Sequence, residues 1–350
     1  MNVTVEPAHK APPPAQLCCV VTEDPCQHAE SLPHWSQEYL QLTSGEFRGR
    51  IVEMSSGAVQ LFRESMDQVI DEKGHPRPSS YTFGVPINVH RGGYWQAHEV
   101  GRDSLLTLSP GEELHFRTPQ VSDIFAAVID ADTLDGYAQA VLGHEVSTLI
   151  ARAQMQTLPS AAAMRYRQVL HEVMCCVQST PDVLTHAASR QAVSESIINA
   201  SLTALLSISE HPERSRGGHA IHRAIVERAR NYILNRRDQP PSVSDLSAHL
   251  KMSRRGLHHA FMNVLGISPV TFLRYVRLHG VRKDLLHGGP DMTVSSAACK
   301  WGFWHMGMFS SYYKALFGES PSSTLKRPPQ VRSQPWSSGH GDWPFPGMPD

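Results

Sequence analysis

SVSDLSAHLKMSRRGLHHAFMNVLGISP (Ser242 to Pro269) and TVSSAACKWGFWHMGMFSSYYKALFGESP (Thr293 to Pro321) are two copies of one unit. Val243, Leu246, Leu250 and Met252 match Val294, Ala297, Trp301 and Phe303 at an offset of 51, whereas Leu257, Phe261, Gly266 and Pro269 match Phe309, Tyr313, Gly318 and Pro321 at 52. One residue is therefore inserted at the turn of the second copy. Ser242, followed three positions on by Asp245, is a helix start in which a hydroxyl and an early carboxylate satisfy free backbone N–H groups. Lys251, Met252 and Ser253 read as a tight turn, and Ser253 as the cap of a second helix with Leu257, Phe261 and Val264 on one face. The unit is a helix-turn-helix. Its second helix presents Arg254, Arg255, His258, His259 and Met262 on the other face, the cationic, hydrogen-bonding stripe that reads the major groove. Gly266 ends that helix, and Ser268 with Pro269 opens a longer one through Leu285 that spaces the copies.

Charge agrees with a division of labour. The chain of 350 residues has a formal net charge of -1, but residues 219–327 carry 16 Lys and Arg against 6 Asp and Glu, leaving 16 basic and 27 acidic residues elsewhere. A basic C-terminal third is the footprint of a duplex-binding domain, whereas the acidic remainder is repelled by DNA.

Two such units joined by a spacer helix containing RLHGVRKDLL (Arg277 to Leu286) resemble the AraC/XylS family of transcription regulators, over about Ala220 to Lys326. Within it, KWGFWHMGMF (Lys300 to Phe309), with GEFRGRIVEM (Gly45 to Met54), VQLFRE (Val59 to Glu64) and FGVP (Phe83 to Pro86), resembles the ethanolamine operon regulators. The resemblance implies a cytoplasmic bacterial transcription activator that binds double-stranded DNA, works with RNA polymerase, pairs as a homodimer and senses a small-molecule effector. That effector would be ethanolamine, with adenosylcobalamin as co-effector and no cofactor otherwise required. Other small metabolites, such as aromatic acids or amino acids, stay open.

Upstream, short alternating runs at Arg50–Met54, Val59–Arg63, Ser104–Leu108 and Ile124–Ile129 are broken by turn glycines, which suggests a sandwich or jelly-roll barrel. The expected class is α+β multidomain, with an N-terminal cupin-like β-barrel, a helical region and an all-α C-terminal domain with two helix-turn-helix motifs. The expected divisions are a disordered leader over 1–35, the β-barrel effector domain over 36–130, helices for packing or dimerisation over 131–210 and a linker over 211–218. The DNA-binding domain follows over 219–327, with helix-turn-helix motifs at 243–264 and 294–317, and then a disordered tail over 328–350. Three apolar sets mark the helices: Val141 to Ile150, Met164 to Val177, and Val193 to Leu206. They serve either a dimer interface or the chain's own core.

The second unit is the weaker reader. Its recognition helix, His305 to Leu316, leaves Met306, Gly307, Ser310, Ser311 and Lys314 outside, and only Lys314 carries a fixed charge. Base recognition is therefore assigned mainly to the first helix and phosphate contact to the second. Glycine at Gly256, in a helix's first turn, is a local oddity.

For the effector, Phe83, Tyr94 and Trp95 with Glu112 and Glu113 form a candidate cage for a small ammonium ion through cation–π and carboxylate contacts; the plain alternative is core and rim. His90, His98 and Glu99 are the nearest approach to a metal cluster, but the histidines lie eight apart, unlike the closely spaced pair of metal-dependent cupins, so no metal is expected. No nucleophile constellation stands in Leu40–Val128, which argues against an enzyme with a DNA-binding appendage. A constitutive DNA-binding protein that merely dimerises through its N-terminal part is the other alternative. The six cysteines show no pairing pattern, adjacent Cys18 and Cys19 do not make a zinc motif, and no run reaches the roughly 18 apolar residues of a membrane span. A reducing compartment, and no membrane partner, is expected.

Overall fold

Strands β3 (Gly49–Ser56), β4 (Val59–Met66) and β11 (Ser122–Asp130) are buried along nearly their whole length, so the sheet they belong to is covered on both faces. The computed structural model describes residues 16–89, 92–96, 98–142, 146–150, 155–208, 217–236, 241–289, 291–303, 306–327 and 334–335. In it an eight-stranded sheet runs β12 (Met155–Thr157), β9 (Ser104–Leu108), β6 (Ser80–Val89), β11, β4, β3, β1 (Gln16–Thr22) and β13 (Gln334–Pro335). A second sheet of five strands runs β2 (Ser36–Gln41), β5 (Ile70–His75), β10 (Leu114–Arg117), β7 (Tyr94–Trp95) and β8 (His98–Glu99).

The two sheets face each other. Leu106, Leu108 and Ile124 of the larger sheet pack on Trp95, Leu114 and Phe116 of the smaller one, and Met66 packs with Tyr39 and Ile70. The expected barrel does not close: among the described residues every strand pairs within its own sheet, so the domain is a sandwich of two open sheets. The outer face of the larger sheet takes helices. Helix α1 (Pro25–Ala29) instead packs Ala29 with Met66, Tyr39 and Ile70, whereas α2 (Ala131–Leu142), α3 (Val146–Ile150), α4 (Ser160–Ser179) and α5 (Ala187–Leu206) come after β11. Leu170, Met174 and Val177 of α4 and Ile197, Ile198 and Leu202 of α5 bury Val52, Met54, Leu61, Phe83 and Phe125 of the sheet. The second and third apolar sets thus chiefly serve the chain's own core, with Met164 and Leu206 left exposed. Val146 and Ile150 of the first set join the same core.

The stretch read as a disordered leader contains, from residue 16, a strand and a helix. β1 pairs with β3 in unbroken register from Gln16 with Ser55 to Thr22 with Gly49, burying Leu17 and Val20. Asp24 then caps α1, accepting from the N–H groups of Cys26 and Gln27. β1 does not alternate strictly between buried and exposed positions, and α1 is too short to show a helical period. The expected linker lies largely outside the described residues, as does the expected tail apart from Gln334–Pro335. All six cysteines are free thiols.

The C-terminal part is helical: α6 (Gly217–Leu234), α7 (Val243–Leu250), α8 (Arg254–Leu265), α9 (Pro269–His287), α10 (Val294–Lys300), α11 (Met306–Phe317) and α12 (Pro321–Leu325). It has two cores. Val226, Ala229, Ile233, Leu246, Leu257 and Phe261 form one, and Ala297, Trp301, Phe309, Tyr313 and Leu316 the other. The spacer α9 belongs to both, giving Phe272, Leu273 and Val276 to the first and Leu278, Val281 and Leu285 to the second. Gly280 is required where α9 meets the second unit, since a Cβ there would come within 2.3 Å of the Trp301 ring.

Candidate nucleic-acid interface

The first helix-turn-helix is built by local chemistry. The Ser242 hydroxyl accepts from Asp245 N–H at 3.2 Å while the Asp245 carboxylate accepts from Ser242 N–H at 2.8 Å, a reciprocal cap that fixes the start of α7. Lys251 turns the chain with a left-handed φ of 53°, and Ser253 caps α8 by accepting from Gly256 N–H. Gly266, with φ of 69°, closes the helix, as glycine does without steric cost. Leu257, Ala260, Phe261 and Leu265 are buried, whereas Arg254, Arg255, His258, His259 and Met262 all face solvent. Two of these are not wholly free: Arg254 donates to Ser244 Oγ at 2.6 Å, and His259 lies edge-on to His222 of α6, both rings within reach of the Asn263 amide. Gly256 has a local account, because a Cβ there would press on the Met252 methyl at 3.2 Å.

The second unit repeats the design with Thr293 and Ser296 as its capping pair. α11 buries Phe309, Tyr313, Leu316 and Phe317 and exposes Gly307, Ser310, Ser311 and Lys314. His305 lies outside the described residues. Met306 is half-buried against the unit's own core, and Ser311 bonds back to Gly307 O at 3.1 Å, which occupies its hydroxyl. Arg274 of the spacer stacks over the Tyr312 ring, 4.2 Å from its centroid.

The sandwich grips this helical domain from behind the two exposed faces. Leu40, Leu42 and Val69 complete the first core. Around them lies an ionic network: Arg230 pairs with Asp71 at 3.2 Å, His115 with Glu227 at 3.1 Å and with Glu113 at 2.9 Å, and Lys73 with Glu113 at 3.0 Å. Burial alone would lower the His115 pKa, but the hydrogen bond and charge of Glu227 outweigh it and raise the pKa. The second unit is held by Arg282, which is buried, pairs with Asp24 and with Glu319 at 2.8 Å, and lies over the Phe317 ring. The His279 imidazole, driven down to a pKa of about 3 by burial and by the Arg282 charge, is a neutral acceptor for Gln41 N–H at 2.9 Å. Gln41 in turn donates to Leu316 O at 2.7 Å.

The candidate effector cage is not brought together. Phe83 faces the helices on the outer side of the larger sheet, whereas Trp95 is buried between the sheets with Phe116. Tyr94 points to Arg117, Glu112 caps its own turn by accepting from Ser109 N–H, and Glu113 belongs to the ionic network against α6. Adjacent strand residues such as Tyr94 and Trp95 point to opposite faces, so a cage drawn from neighbours in sequence is split by the pleat. His98 and Glu99 sit on β8, His90 lies outside the described residues, and no group of three metal-ligating side chains occurs among the described residues. No helix among them is long and apolar enough to cross a membrane. Asp24, Asp71, His115, Arg230 and Arg282, which join the domains, escaped the sequence reading because their partners are remote in the chain.

Known proteins resemble this chain. Residues 246–327 match a helix-turn-helix domain family. The probable thc operon regulatory protein of Rhodococcus erythropolis is 29% identical over 215 residues, which cover 61% of this chain and 64% of that protein, just under two thirds of its length. A XylDLEGF operon transcriptional activator of Pseudomonas putida is 30% identical over 112 residues, 32% of this chain and 71% of that protein. The crystal structure of a probable AraC family transcriptional regulator from Rhodopseudomonas palustris aligns with 35% identity over 29% of this chain and 95% of that one, at a TM-score of 0.28. With two capped helix-turn-helix units on one spacer helix, and with these relatives, the chain belongs to the AraC/XylS family of helix-turn-helix transcription regulators.

Proposed function

We propose that the chain is an effector-responsive transcription activator that binds promoter DNA through both helix-turn-helix units. The observation that carries this reading is the placement of the two exposed recognition faces: the sandwich holds the helical domain on other surfaces and leaves Arg254, Arg255, His258 and Lys314 open to a duplex. Recognition helices about 34–36 Å apart enter successive major grooves on one side of DNA, so a single chain takes a bipartite site and a homodimer two copies of it. Arg255 reads a base, and Lys314, with exposed Ser310, supplies phosphate contact. The activating role and the contact with RNA polymerase are supported by the kind of protein the relatives are, among them a transcriptional activator.

The N-terminal domain is assigned the sensing role. Ethanolamine is the effector we place first, on the four short runs that resemble the ethanolamine operon regulators, with aromatic acids and amino acids as the comparison set. Adenosylcobalamin does not fit between the sheets. That space, about 10 Å deep, is filled by the clusters around Phe62, Phe116 and Trp95, which a corrin ring would have to displace. We read the two facing antiparallel sheets as cupin-like.

The test is selection of an operator from a random-sequence DNA library, followed by titration at several salt concentrations. A bipartite site whose affinity falls steeply with salt is expected. Sequence-independent binding, or a single contact region, would overturn the reading.

A further inference from the structure

The two recognition helices end in the same way, and the sandwich meets both ends. Gly266 and Gly318 hold equivalent places in the repeat, both in the left-handed region, and each N–H takes the carbonyl four residues back, Met262 O and Lys314 O. Val264 and Leu316, two places before each glycine, are equivalent as well, and carbonyls in a helix's last turn have no partner within it. Donors of the sandwich take both. Arg117 Nη1 donates to Val264 O, while Gln41 Nε2 at 2.7 Å and Gly45 N–H at 3.3 Å donate to Leu316 O. The sandwich also passes close over each glycine: a Cβ on Gly266 would lie 3.5 Å from Arg117 Nη2, and one on Gly318 only 2.4 Å from Glu46 Cγ.

A second observation concerns where these donors stand. Gln41 on β2 is the cross-strand partner of Ile70, and Arg117 on β10 is the partner of Asp71. They therefore flank consecutive residues of β5 at one end of the smaller sheet, two strand spacings or about 10 Å apart. That end is braced: Thr118 Oγ1 accepts from Ile70 N–H at 2.8 Å, Arg230 pairs with Asp71, and the Arg117 guanidinium lies over the Tyr94 ring. The Arg117 charge also sits where the dipole of α8 favours a cation. Gln41 is buried and Arg117 half-buried, so neither belongs to the exposed recognition faces. Caps from two unrelated surfaces would stabilise each helix separately. Caps from one sheet end also fix the helices relative to each other.

We propose that Arg117 and Gln41 are positioning residues for DNA recognition, through which the smaller sheet holds both reading helices by equivalent terminal carbonyls so that they engage the two halves of one site together. The proposal rests on the reading that both units bind one duplex, and it assigns part of that binding to side chains that do not touch DNA. Two linked contacts held in a productive relation bind far more tightly than either alone, because the second forms at a high effective concentration. A helix released from the sheet end forfeits part of that gain while keeping its own contacts.

The experiment uses the full chain. Fluorescence anisotropy measures affinity for the selected bipartite operator and for the same duplex with either half scrambled, in the wild type, Arg117→Met, Arg117→Lys and Gln41→Met. The readout is the ratio of bipartite to half-site affinity. Arg117→Met and Gln41→Met should each lower that ratio by about 3- to 10-fold, the worth of one hydrogen bond, and leave half-site affinity unchanged. Arg117→Lys, which keeps a charged donor, should restore most of the ratio. Thermal melting followed by circular dichroism checks the fold, and Arg117→Lys with Gln41→Met decides the matter if Arg117→Met does not fold. An unchanged ratio in the folded variants overturns the proposal. So does an equal fall in bipartite and half-site affinity, because each contact then merely stabilises its own helix. A wild type without any bipartite advantage refutes the two-unit reading itself, whereas a wild type with that advantage and variants that keep it refute the positioning role alone.

Discussion

Replacing Arg282 by methionine should separate the second DNA-binding unit from the sandwich at a measurable cost. The guanidinium is 1% exposed and Asp24 is fully buried, so the substitution strands a buried carboxylate. Losing one partner of such a pair costs about 3–5 kcal/mol. Two features place this case near the lower end, about 3 kcal/mol: Asp24 keeps the N–H groups of Cys26 and Gln27, and Glu319 keeps Arg327 at 3.2 Å. The assay is urea unfolding followed by tryptophan fluorescence, with Trp35 and Trp95 reporting on the sandwich and Trp301 on the second unit. Asp24→Asn and the double variant complete a cycle. The double variant should recover much of the loss, because the stranded charge is gone, giving a coupling of about 2 kcal/mol. A single-variant cost below about 0.5 kcal/mol, or strict additivity in the cycle, would refute the claim that this ion pair joins the domains.

Further outcomes follow from other contacts. The His115 pKa is raised by Glu227 and Glu113, so its stabilisation is full below the ordinary histidine value of about 6.5 and is lost as pH rises through the folded-state value; stability measured from pH 5 to 9 should fall over that upper range in the wild type and not in His115→Gln. Gly280→Ala gains helix propensity of roughly 1 kcal/mol but drives a methyl into Trp301, and overpacking of about 1–3 kcal/mol should prevail, with a lowered melting temperature. Arg255→Ala should weaken operator binding by about 1–3 kcal/mol and relax one base position, while Lys314→Ala weakens all sequences alike and lowers the salt slope by about one; equal loss of base preference through both helices would overturn the assignment of reader and anchor.

What sequence reveals here follows the range of the interactions. The helix-turn-helix units are legible because caps such as Ser242 with Asp245, turns such as Lys251 and stops such as Gly266 act within a few residues. Strands β3, β4, β9 and β11 show through alternation and their glycine turns. β1 is not legible in the leader because it gains its stability from β3, remote in the chain, and the open sandwich is not legible because closure depends on pairings between sheets that no local pattern records. The candidate cage is not assembled for a related reason: Tyr94 and Trp95 are sent to opposite faces by the pleat, and Phe83 lies on the outer face of the larger sheet, which no local pattern records. Glutamate within a strand such as IDEKGH reads as a solvent-facing position until the opposing sheet is in place.

Strand β2 and the turn after it form one ribbon, residues 40–46, that touches both DNA-binding units. Leu40 and Leu42 enter the core of the first, Gln41 and the Gly45 N–H reach Leu316 of the second, and Glu46 closes on Gly318. The ribbon works as a ruler. If the chain binds DNA as proposed, the tolerated number of base pairs between the two half-sites is thereby written partly in the N-terminal domain, and swapping that domain between regulators would transplant a spacing preference.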